Sequence, residues 1–257
     1  MKPEALDSHM SNWNAMAELD PLWAILSDPE KKFGRWDPQE FFLDGEREAK
    51  RVARMCEANG VTVSYGKMLD FGCGVGRMTR AFSQFFSSCV GIDVSEKMVE
   101  LARKYNANRP HCEFVASASE TMPIEDATFD FVFSVLVLQH LPKKSMILGY
   151  ISEFLRVAKD GGAIVFQLTN EVPLRQRIQG GRRLWSLLTL LGAPQGWLFK
   201  MLGLAPIQMN GISRGKVEKH IKGQGGKVKA VERYDPSEGR YHSYYYFVVK
   251  GPRLAEH

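Results

Sequence analysis

The feature that most constrains the fold is a glycine-rich segment at residues 69–77, which reads Leu-Asp-Phe-Gly-Cys-Gly-Val-Gly-Arg. A short apolar run over residues 67–71 leads into the glycines, and a helical pattern over residues 77–86 follows them. Glycine permits backbone angles with positive φ and lets a ligand approach the chain closely, because it carries no side chain. The segment therefore predicts a strand, a turn that contacts a ligand and a helix, in that order.

The spacing of these glycines indicates which kind of ligand the turn contacts. Gly72, Gly74 and Gly76 form a GxGxG pattern, which differs from the GxGxxG pattern that cradles a dinucleotide pyrophosphate. The lysine of a phosphate-binding P-loop is absent from the segment as well. We therefore expect a nucleoside-like ligand without a pyrophosphate, and the spacing argues against a nicotinamide dehydrogenase.

Two acidic residues accompany the turn. Asp93 follows Gly72 by 21 residues, at the end of the next predicted strand. A carboxylate at that position can accept hydrogen bonds from both hydroxyls of an adenosine ribose. Its alternative role is that of a neighbour of a helix N-cap, with no ligand. Asp70 lies within the first strand, where it would brace the turn and could also face the ammonium group of a ligand.

Strand and helix patterns alternate through the centre of the chain. Helices are predicted over residues 77–86, 95–106 and 144–158, and strands over residues 67–71, 89–92, 112–115, 129–133 and 163–168, the last after a turn at 159–162. This alternation is typical of parallel strands joined by right-handed crossovers, with helices on both faces of the sheet. Two more strands, over residues 227–234 and 241–250, would close the sheet as an antiparallel hairpin. The predicted α/β fold binds its ligand at the carboxyl ends of the parallel strands.

These residues resemble the S-adenosylmethionine-binding core of class I methyltransferases, close to the broad branch that acts on small molecules (methyltransferase type 11/25-like). Residues 70–76 resemble the first motif of that family, and Asp93 falls on its ribose-binding acid. Residues 114–130 resemble the third-strand and fourth-strand segment, and residues 134–140 the loop that faces the methionine half of the cofactor. Residues 153–157, followed by two glycines, resemble the helix and turn before the fifth strand.

The resemblance implies a Rossmann-like fold, with S-adenosyl-L-methionine as cofactor and S-adenosyl-L-homocysteine as product. It implies methyl transfer by in-line displacement to an oxygen, nitrogen or carbon nucleophile of a small molecule. The cofactor-binding residues that it implies are Asp70, Gly72, Cys73, Gly74, Gly76, Asp93, Val94, Met98, Ala118, Ser119, Glu120, Ser134, Val135 and Gln139. One departure is Ala118, which stands where the family often has an acid for the adenine amino group. Backbone groups near Ser119, or the Glu120 carboxylate, would replace that acid.

Two histidines are candidates for the base that removes a proton from the acceptor. His140 follows the fourth predicted strand, where the cleft should open, and a neutral imidazole near pH 7 suits proton removal. Its alternative role is to cap or pack around the cofactor. His242 shares one face of the last strand with Tyr244, a candidate substrate residue. The alternative for that strand is tyrosines that merely cover the sheet.

We expect one methyltransferase domain over residues 1–257, made of four segments. They are an N-terminal helical cap (1–60), a cofactor-binding core (61–170), a helical lid inserted after the fifth strand (171–210), and a closing helix and hairpin (211–257). Trp13 and Trp36 in the cap are candidate substrate contacts, with packing onto the core as the alternative. In the insertion, Trp185 and Trp197 would line an apolar pocket and Arg175 could meet a phosphate or carboxylate.

The insertion has an apolar stretch at residues 184–207 whose length approaches that of a membrane span. Gly192 and Pro194 divide the stretch into two short helices, which argues against a span. Three interpretations stay open. The insertion is a lid over the substrate cavity, a homodimer surface, or a basic and apolar patch that touches a membrane. The last would suit a methyltransferase that acts on a membrane lipid or quinone.

The charge distribution bears on the choice of partner. Residues 1–170 carry 19 Lys and Arg against 23 Asp and Glu, whereas residues 171–257 carry 15 against 6, so net charges of −4 and +9 make up the total of +5. A mildly acidic core does not suit a nucleic-acid platform, and a nucleic-acid methyltransferase is the weaker alternative. The basic third favours a small anionic or lipid-like substrate, or a membrane surface, with a merely solvated basic face as the alternative.

Cysteine spacing and the N-terminus bear on metals and on location. The four cysteines show neither a CxxC pattern nor a cluster with histidine, so no metal site is expected. Their wide spacing is typical of reduced thiols in the cytosol. The first residues carry acids and no apolar run, unlike a signal peptide. These features predict a cytoplasmic protein, with peripheral membrane contact left open.

Overall fold

The computed structural model describes residues 4–170, 172, 178–234 and 242–252. Its strands are β1 (Lys67–Phe71), β2 (Ser88–Asp93), β3 (Cys112–Ala116), β4 (Phe129–Ser134), β5 (Ala158–Thr169), β6 (Gly226–Tyr234) and β7 (Ser243–Lys250). They form one sheet in the order β3-β2-β1-β4-β5-β7-β6. Strands β1 to β5 are parallel, and β7 pairs antiparallel with both β5 and β6. The prediction of a seven-stranded, mostly parallel sheet with an antiparallel C-terminal hairpin is confirmed.

Helices flank the sheet and are set by local capping signals. Those within the described residues are α1 (Glu4–Leu19), α2 (Pro21–Ile25), α3 (Pro38–Ala58), α4 (Arg77–Phe82), α5 (Glu96–Tyr105), α6 (Lys144–Val157), α7 (Gly180–Leu190), α8 (Gln195–Leu202) and α9 (Arg214–Gly223). At the start of α3, the Asp37 carboxylate accepts a 2.9 Å hydrogen bond from the Glu40 amide. At the start of α5, the Ser95 hydroxyl accepts one of 3.1 Å from the Met98 amide. Both satisfy amides that a helix leaves unpaired in its first turn.

Two element boundaries differ from the sequence prediction. The helix expected over residues 77–86 ends at Phe82. The turn expected at residues 159–162 lies inside β5 as a bulge, because Phe129 pairs with Ala158 whereas Phe131 pairs with Ala163. Gly161 has a φ of +77° there, which suits glycine. Residues 235–241 lie outside the described residues, and β7 begins at Ser243.

The strands bury alternate side chains on the two faces of the sheet. Met68 of β1 packs with Phe131 in a cluster that contains residues of α3 and α4. Leu69, the next residue, packs with Phe154 of α6 on the other face. Such alternation follows from the two-residue repeat of a strand. With both faces covered, the ligand-accessible surface of the sheet is the edge where the parallel strands end.

The N-terminal cap and the insertion share one hydrophobic cluster near this edge. Met16 of α1, Leu22 of α2 and Phe41 of α3 pack there with Trp185 of α7 and Phe199 of α8. All five side chains are buried. The insertion is therefore held against the cap, and the two helices that Gly192 and Pro194 predicted are present as α7 and α8. None of the described helices is long and apolar enough to cross a membrane.

Lys32 of the cap links these two parts at a second place. Its Nζ atom lies 4.6 Å from the ring centroids of both Trp23 and Phe199, and 5.1 Å from that of Phe33. The same ammonium group donates a 3.2 Å hydrogen bond to the carbonyl of Gly203, at the end of α8. Burial lowers the pKa of Lys32. Cation–π contacts and one carbonyl thus join the cap to the insertion.

Candidate active site

A cavity opens at the carboxyl ends of β1, β2 and β4. The predicted site residues that line it are Gly72, Gly74, Asp93, Val94, Met98, Val135, His140 and Trp13. It lies at the edge of the sheet that the strand order predicts, beside the point where β1 is flanked by β2 and β4.

The glycine turn forms one wall of the cavity. Gly72 and Gly74 have φ angles of +76° and +52°, in the left-handed region that favours glycine. A Cβ atom at Gly72 would collide with the Val137 side chain, and one at Gly74 would lie 2.5 Å from Cδ1 of Ile25. Both glycines are therefore required by the backbone conformation and by the close approach of neighbouring side chains.

Asp93 ties the end of β2 to the glycine turn. One carboxylate oxygen, Oδ2, accepts a 2.8 Å hydrogen bond from the Gly74 amide, and Oδ1 accepts one of 2.9 Å from the Ser95 amide. Burial raises the pKa of this carboxyl, and the backbone hydrogen bonds counter that effect. A carboxylate oxygen accepts more than one hydrogen bond, so both retain acceptor capacity towards the cavity.

Asp70 lies beneath the turn rather than in the wall of the cavity. It is buried and its Oδ2 atom accepts a 2.6 Å hydrogen bond from the Thr79 hydroxyl of α4. Burial raises the pKa of Asp70 to about 6. The contact joins β1 to α4, which is the bracing role that the sequence predicted for this acid.

Several predicted cofactor residues support the site from outside the cavity. Cys73 packs in a buried cluster with Phe114, and a Cβ at Gly76 would meet Asn106 and Phe114. The Ser134 hydroxyl donates a 2.9 Å hydrogen bond to the Phe71 carbonyl, which links the ends of β4 and β1. These residues support the glycine turn through contacts outside the cavity wall.

Two further parts of the predicted cofactor set do not line the cavity. Ala118, Ser119 and Glu120 lie in the loop after β3, outside the cavity wall. Ser117, directly before them, lines the cavity instead. Gln139 is buried, and its Oε1 atom has no hydrogen-bond partner among the described residues.

His140 is the predicted base that lines the cavity. Its Nδ1 atom lies 2.7 Å from the carbonyl oxygen of Gln208, which can only accept, so Nδ1 carries the proton. In the neutral ring, Nε2 is then the unprotonated nitrogen. Burial lowers the pKa of His140, and the bond to Gln208 opposes this shift. The ring also makes an edge contact with Trp13 of the cap, with 5.6 Å between centroids.

His9 is a second histidine in the cavity wall, and it was not predicted from the sequence. His9 is buried on α1, where Leu6, His9 and Trp13 occupy one helix face and all line the cavity. Burial, with smaller effects from the positive charges of His140 and Arg182, lowers the pKa of His9 to about 4. The spacing of three and four residues was the available signal, since it places the three on one side of a helix.

The remaining predicted residues lie away from the cavity. His242 is exposed, and Tyr244 is half-buried against the core on one face of the sheet. Trp36 donates its indole N–H to the Leu26 carbonyl at 3.0 Å and packs on Phe41. None of these three residues lines the cavity.

The prediction that Trp185 and Trp197 line one apolar pocket in the insertion is wrong. Trp185 is buried in the cluster with the cap, whereas Trp197 is 50% exposed on α8. The two lie on different helices, and the inner side of each helix packs on the cap. Arg175 lies outside the described residues.

Comparisons with known proteins identify methyltransferases as relatives of this chain. The family described as "Methyltransferase domain" matches residues 69–166. A 24-methylenesterol C-methyltransferase 2 of Oryza sativa subsp. japonica is 36% identical over 46% of this chain and 33% of its own length. A demethylmenaquinone methyltransferase of Staphylococcus aureus is 33% identical over 62% of this chain and 64% of its own length.

A solved structure extends the similarity of fold to almost the whole chain. The magnesium protoporphyrin IX methyltransferase of Synechocystis PCC 6803, crystallised with bound SAH, has a TM-score of 0.61 and 17% identity. The alignment covers 96% of this chain and 100% of that one. By contrast, the chain spans only 33% and 64% of the lengths of the two curated relatives above.

Proposed function

Because the chain contains a class I S-adenosylmethionine-dependent methyltransferase domain, we propose that it binds S-adenosylmethionine in the cavity and methylates a small, largely apolar molecule. The observation that carries this proposal is one cavity lined by two unlike sets of residues. We assign Gly74 and Asp93 to a polar end for the cofactor, and Trp13 with His9 from the cap to the other end. A donor and an acceptor can therefore meet within a single enclosure.

The polar end fits the cofactor. The residual acceptor capacity of the Asp93 carboxylate suits the two ribose hydroxyls. Val94 and Met98 supply apolar surface for the adenine. The bound cofactor supplies a methyl group on a positively charged sulphur atom. Holding the reactants in line can contribute about 7–11 kcal/mol of the rate acceleration.

The other end supports a small acceptor. Leu6 and Trp13 of α1, together with Leu136 and Leu141 after β4, give it apolar walls. Because residues of both α1 and α2 line the cavity, a base within a duplex or a large protein loop would have to displace the cap to enter. This arrangement supports a small molecule over a nucleic acid as the acceptor.

Proton removal is the chemistry that this chain's own residues would add. An acceptor with a hydroxyl or a protonated amine must lose a proton when the methyl group arrives. The Nε2 lone pair of neutral His140 suits that role, and the hydrogen bond from Nδ1 to Gln208 fixes the tautomer. His9, which burial also keeps neutral, is placed to orient the acceptor from the cap.

A second candidate is a lipid or a quinone as the acceptor. The exposed leucines and basic residues of α7 and α8 favour it, because they suit contact with a membrane surface. The relatives named above for a sterol and for demethylmenaquinone point the same way.

The test is methyl transfer from labelled cofactor. The protein is incubated with S-adenosylmethionine labelled in its methyl group and with a cell extract, which is then separated into lipid, soluble and macromolecular fractions. We expect label in the lipid or soluble small-molecule fraction and calorimetric binding of the cofactor without extract. Label confined to RNA or protein would overturn the proposed acceptor class. Absence of cofactor binding would overturn the proposal as a whole.

A further inference from the structure

Helices α7 and α8 expose an unusual concentration of large apolar side chains, which we call the α7–α8 surface. On α7 and at its end, Leu187, Leu190 and Leu191 are 53%, 84% and 73% exposed. On α8, Trp197 and Met201 are 50% and 68% exposed. Large exposed apolar patches on soluble proteins usually mark an interaction site. The packing of the insertion on the cap does not account for these five residues, because it uses the opposite sides of the helices.

The charge that α7 and α8 themselves carry has one sign. Arg183 on α7 and Lys200 on α8 accompany the apolar residues. In the sequence, no Asp or Glu occurs between Glu171 and Glu218. Apolar residues flanked by cations, with no acid among them, match the interface of a bilayer that contains anionic lipids.

We propose that the α7–α8 surface docks this protein on an anionic lipid bilayer, with the leucines and Trp197 inserted at the level of the headgroups. A second copy of the chain fits the same surface less well. An isologous dimer would bring the same patch from each copy together, so Arg183 and Lys200 of each copy would meet helices that carry no acid. A bilayer supplies the missing negative charge.

Vesicle sedimentation with the full chain tests the docking without cofactor or acceptor. The probes are vesicles of phosphatidylcholine alone and vesicles of phosphatidylglycerol and phosphatidylcholine in equal parts. We expect sedimentation with the anionic vesicles and at least about tenfold weaker binding to the neutral ones. The variant L190Q/L191Q should lose at least about tenfold in vesicle affinity, because two exposed leucines no longer enter the interface.

Matched controls separate docking from general changes of surface. Leu43→Gln alters a leucine of α3 that is 45% exposed and lies outside the α7–α8 surface, so binding should not change. R183E/K200E should weaken binding to the anionic vesicles, whereas Lys222→Glu on α9 should retain it. Because Leu190 is largely exposed, the variant L190Q/L191Q should fold normally. An unchanged thermal midpoint of unfolding would verify this.

Three results would overturn docking on an anionic bilayer. One is equal binding of L190Q/L191Q and the unchanged protein to anionic vesicles. Another is equal binding to neutral and anionic vesicles, which would show that electrostatic attraction does not contribute to docking. The third is a dimer that L190Q/L191Q converts to a monomer without any vesicle binding, which would assign the surface to a second copy. Each result is independent of methyl transfer, so failure here would remove the surface argument for a lipid or quinone acceptor and leave the proposed cofactor binding and methyl transfer untouched.

Discussion

Ile25 of the cap lies directly over Gly74 of the glycine turn, with its Cδ1 atom 2.5 Å from the position that a Cβ there would take. Residues 49 positions apart in the chain are thus in contact at the polar end of the cavity. The cap consequently contributes to the shape of the proposed cofactor site as well as to that of the acceptor site.

Substitution of Gly74 tests this contact. Gly74→Ala should lower stability by about 1–3 kcal/mol, because the new Cβ meets Ile25 and the φ of +52° disfavours alanine. Cofactor affinity should fall at least about tenfold in the same variant. Adding Ile25→Ala should recover part of the stability by removing the collision, without recovering the affinity. Full recovery of both in the double variant would show that backbone shape is unimportant here.

Asp93 should be required for cofactor binding. In Asp93→Asn, one carboxylate oxygen becomes an NH2 group, so one of the amides of Gly74 and Ser95 loses its acceptor. We expect about 1 kcal/mol lower stability and at least about tenfold weaker cofactor binding by calorimetry. Glu113→Gln, which removes an exposed acid on β3, is the matched control and should bind normally. Unchanged affinity in Asp93→Asn would remove the ribose role from this residue.

His140 should control turnover rather than cofactor binding. His140→Gln is expected to reduce kcat by about a hundredfold or more, the range usual for loss of a general base, with cofactor Kd little changed. Burial lowers the pKa of His140 below 6.5, and only the unprotonated ring accepts a proton. The rate of the unchanged enzyme should therefore rise with pH through a midpoint below 6.5 and then level off, and this limb should disappear in the variant.

His242→Gln distinguishes the two histidines that the sequence put forward. His242 is exposed and lies outside the cavity, so its replacement should change neither kcat nor the rise of the rate with pH. The opposite pattern, a normal rate in His140→Gln and a slow one in His242→Gln, would exchange their roles.

Asp70 should make stability depend on pH in a direction unusual for a carboxylate. Its pKa is about 6 in the folded protein, against an ordinary value of 3.8 for an aspartate in water, so the folded protein binds the proton more tightly than the unfolded chain does. Ionisation of Asp70 therefore lowers the free energy of unfolding progressively as pH rises from about 3.8 to 6. Above that window the loss is complete and amounts to about 1–3 kcal/mol. Asp70→Asn should gain stability relative to the unchanged protein over the same window and keep the gain at about pH 8. Denaturant unfolding at several pH values measures this, and parallel curves would contradict it.

The glycine turn and its acid could be predicted from sequence because their determinants are local. Gly72 and Gly74 adopt positive φ at the end of a strand, and Ser95 caps the helix that follows Asp93. Each of these features depends on neighbours within a few residues. The alternation of strands and helices likewise follows from short-range periodicity, which is why the sheet architecture agreed with expectation.

The parts that could not be predicted depend on contacts between distant segments. His9 gains its role from lying beside His140, 131 residues further along the chain. Trp185 and Trp197 differ in burial because of how α7 and α8 turn against the cap, and the local pattern of each helix does not specify that rotation. Ser117 replaces Ala118 in the cavity wall because the end of β3 is set by its pairing with β2.

The contacts of Lys32 give the junction between the cap and the insertion a different response to salt from that of the α7–α8 surface. Three aromatic rings and the Gly203 carbonyl hold this ammonium group at short range, and dissolved ions screen such contacts weakly. Attraction of Arg183 and Lys200 to lipid phosphates acts through water and fades as ionic strength increases. Raising the salt concentration should therefore release the protein from a bilayer while the cap and the insertion stay joined.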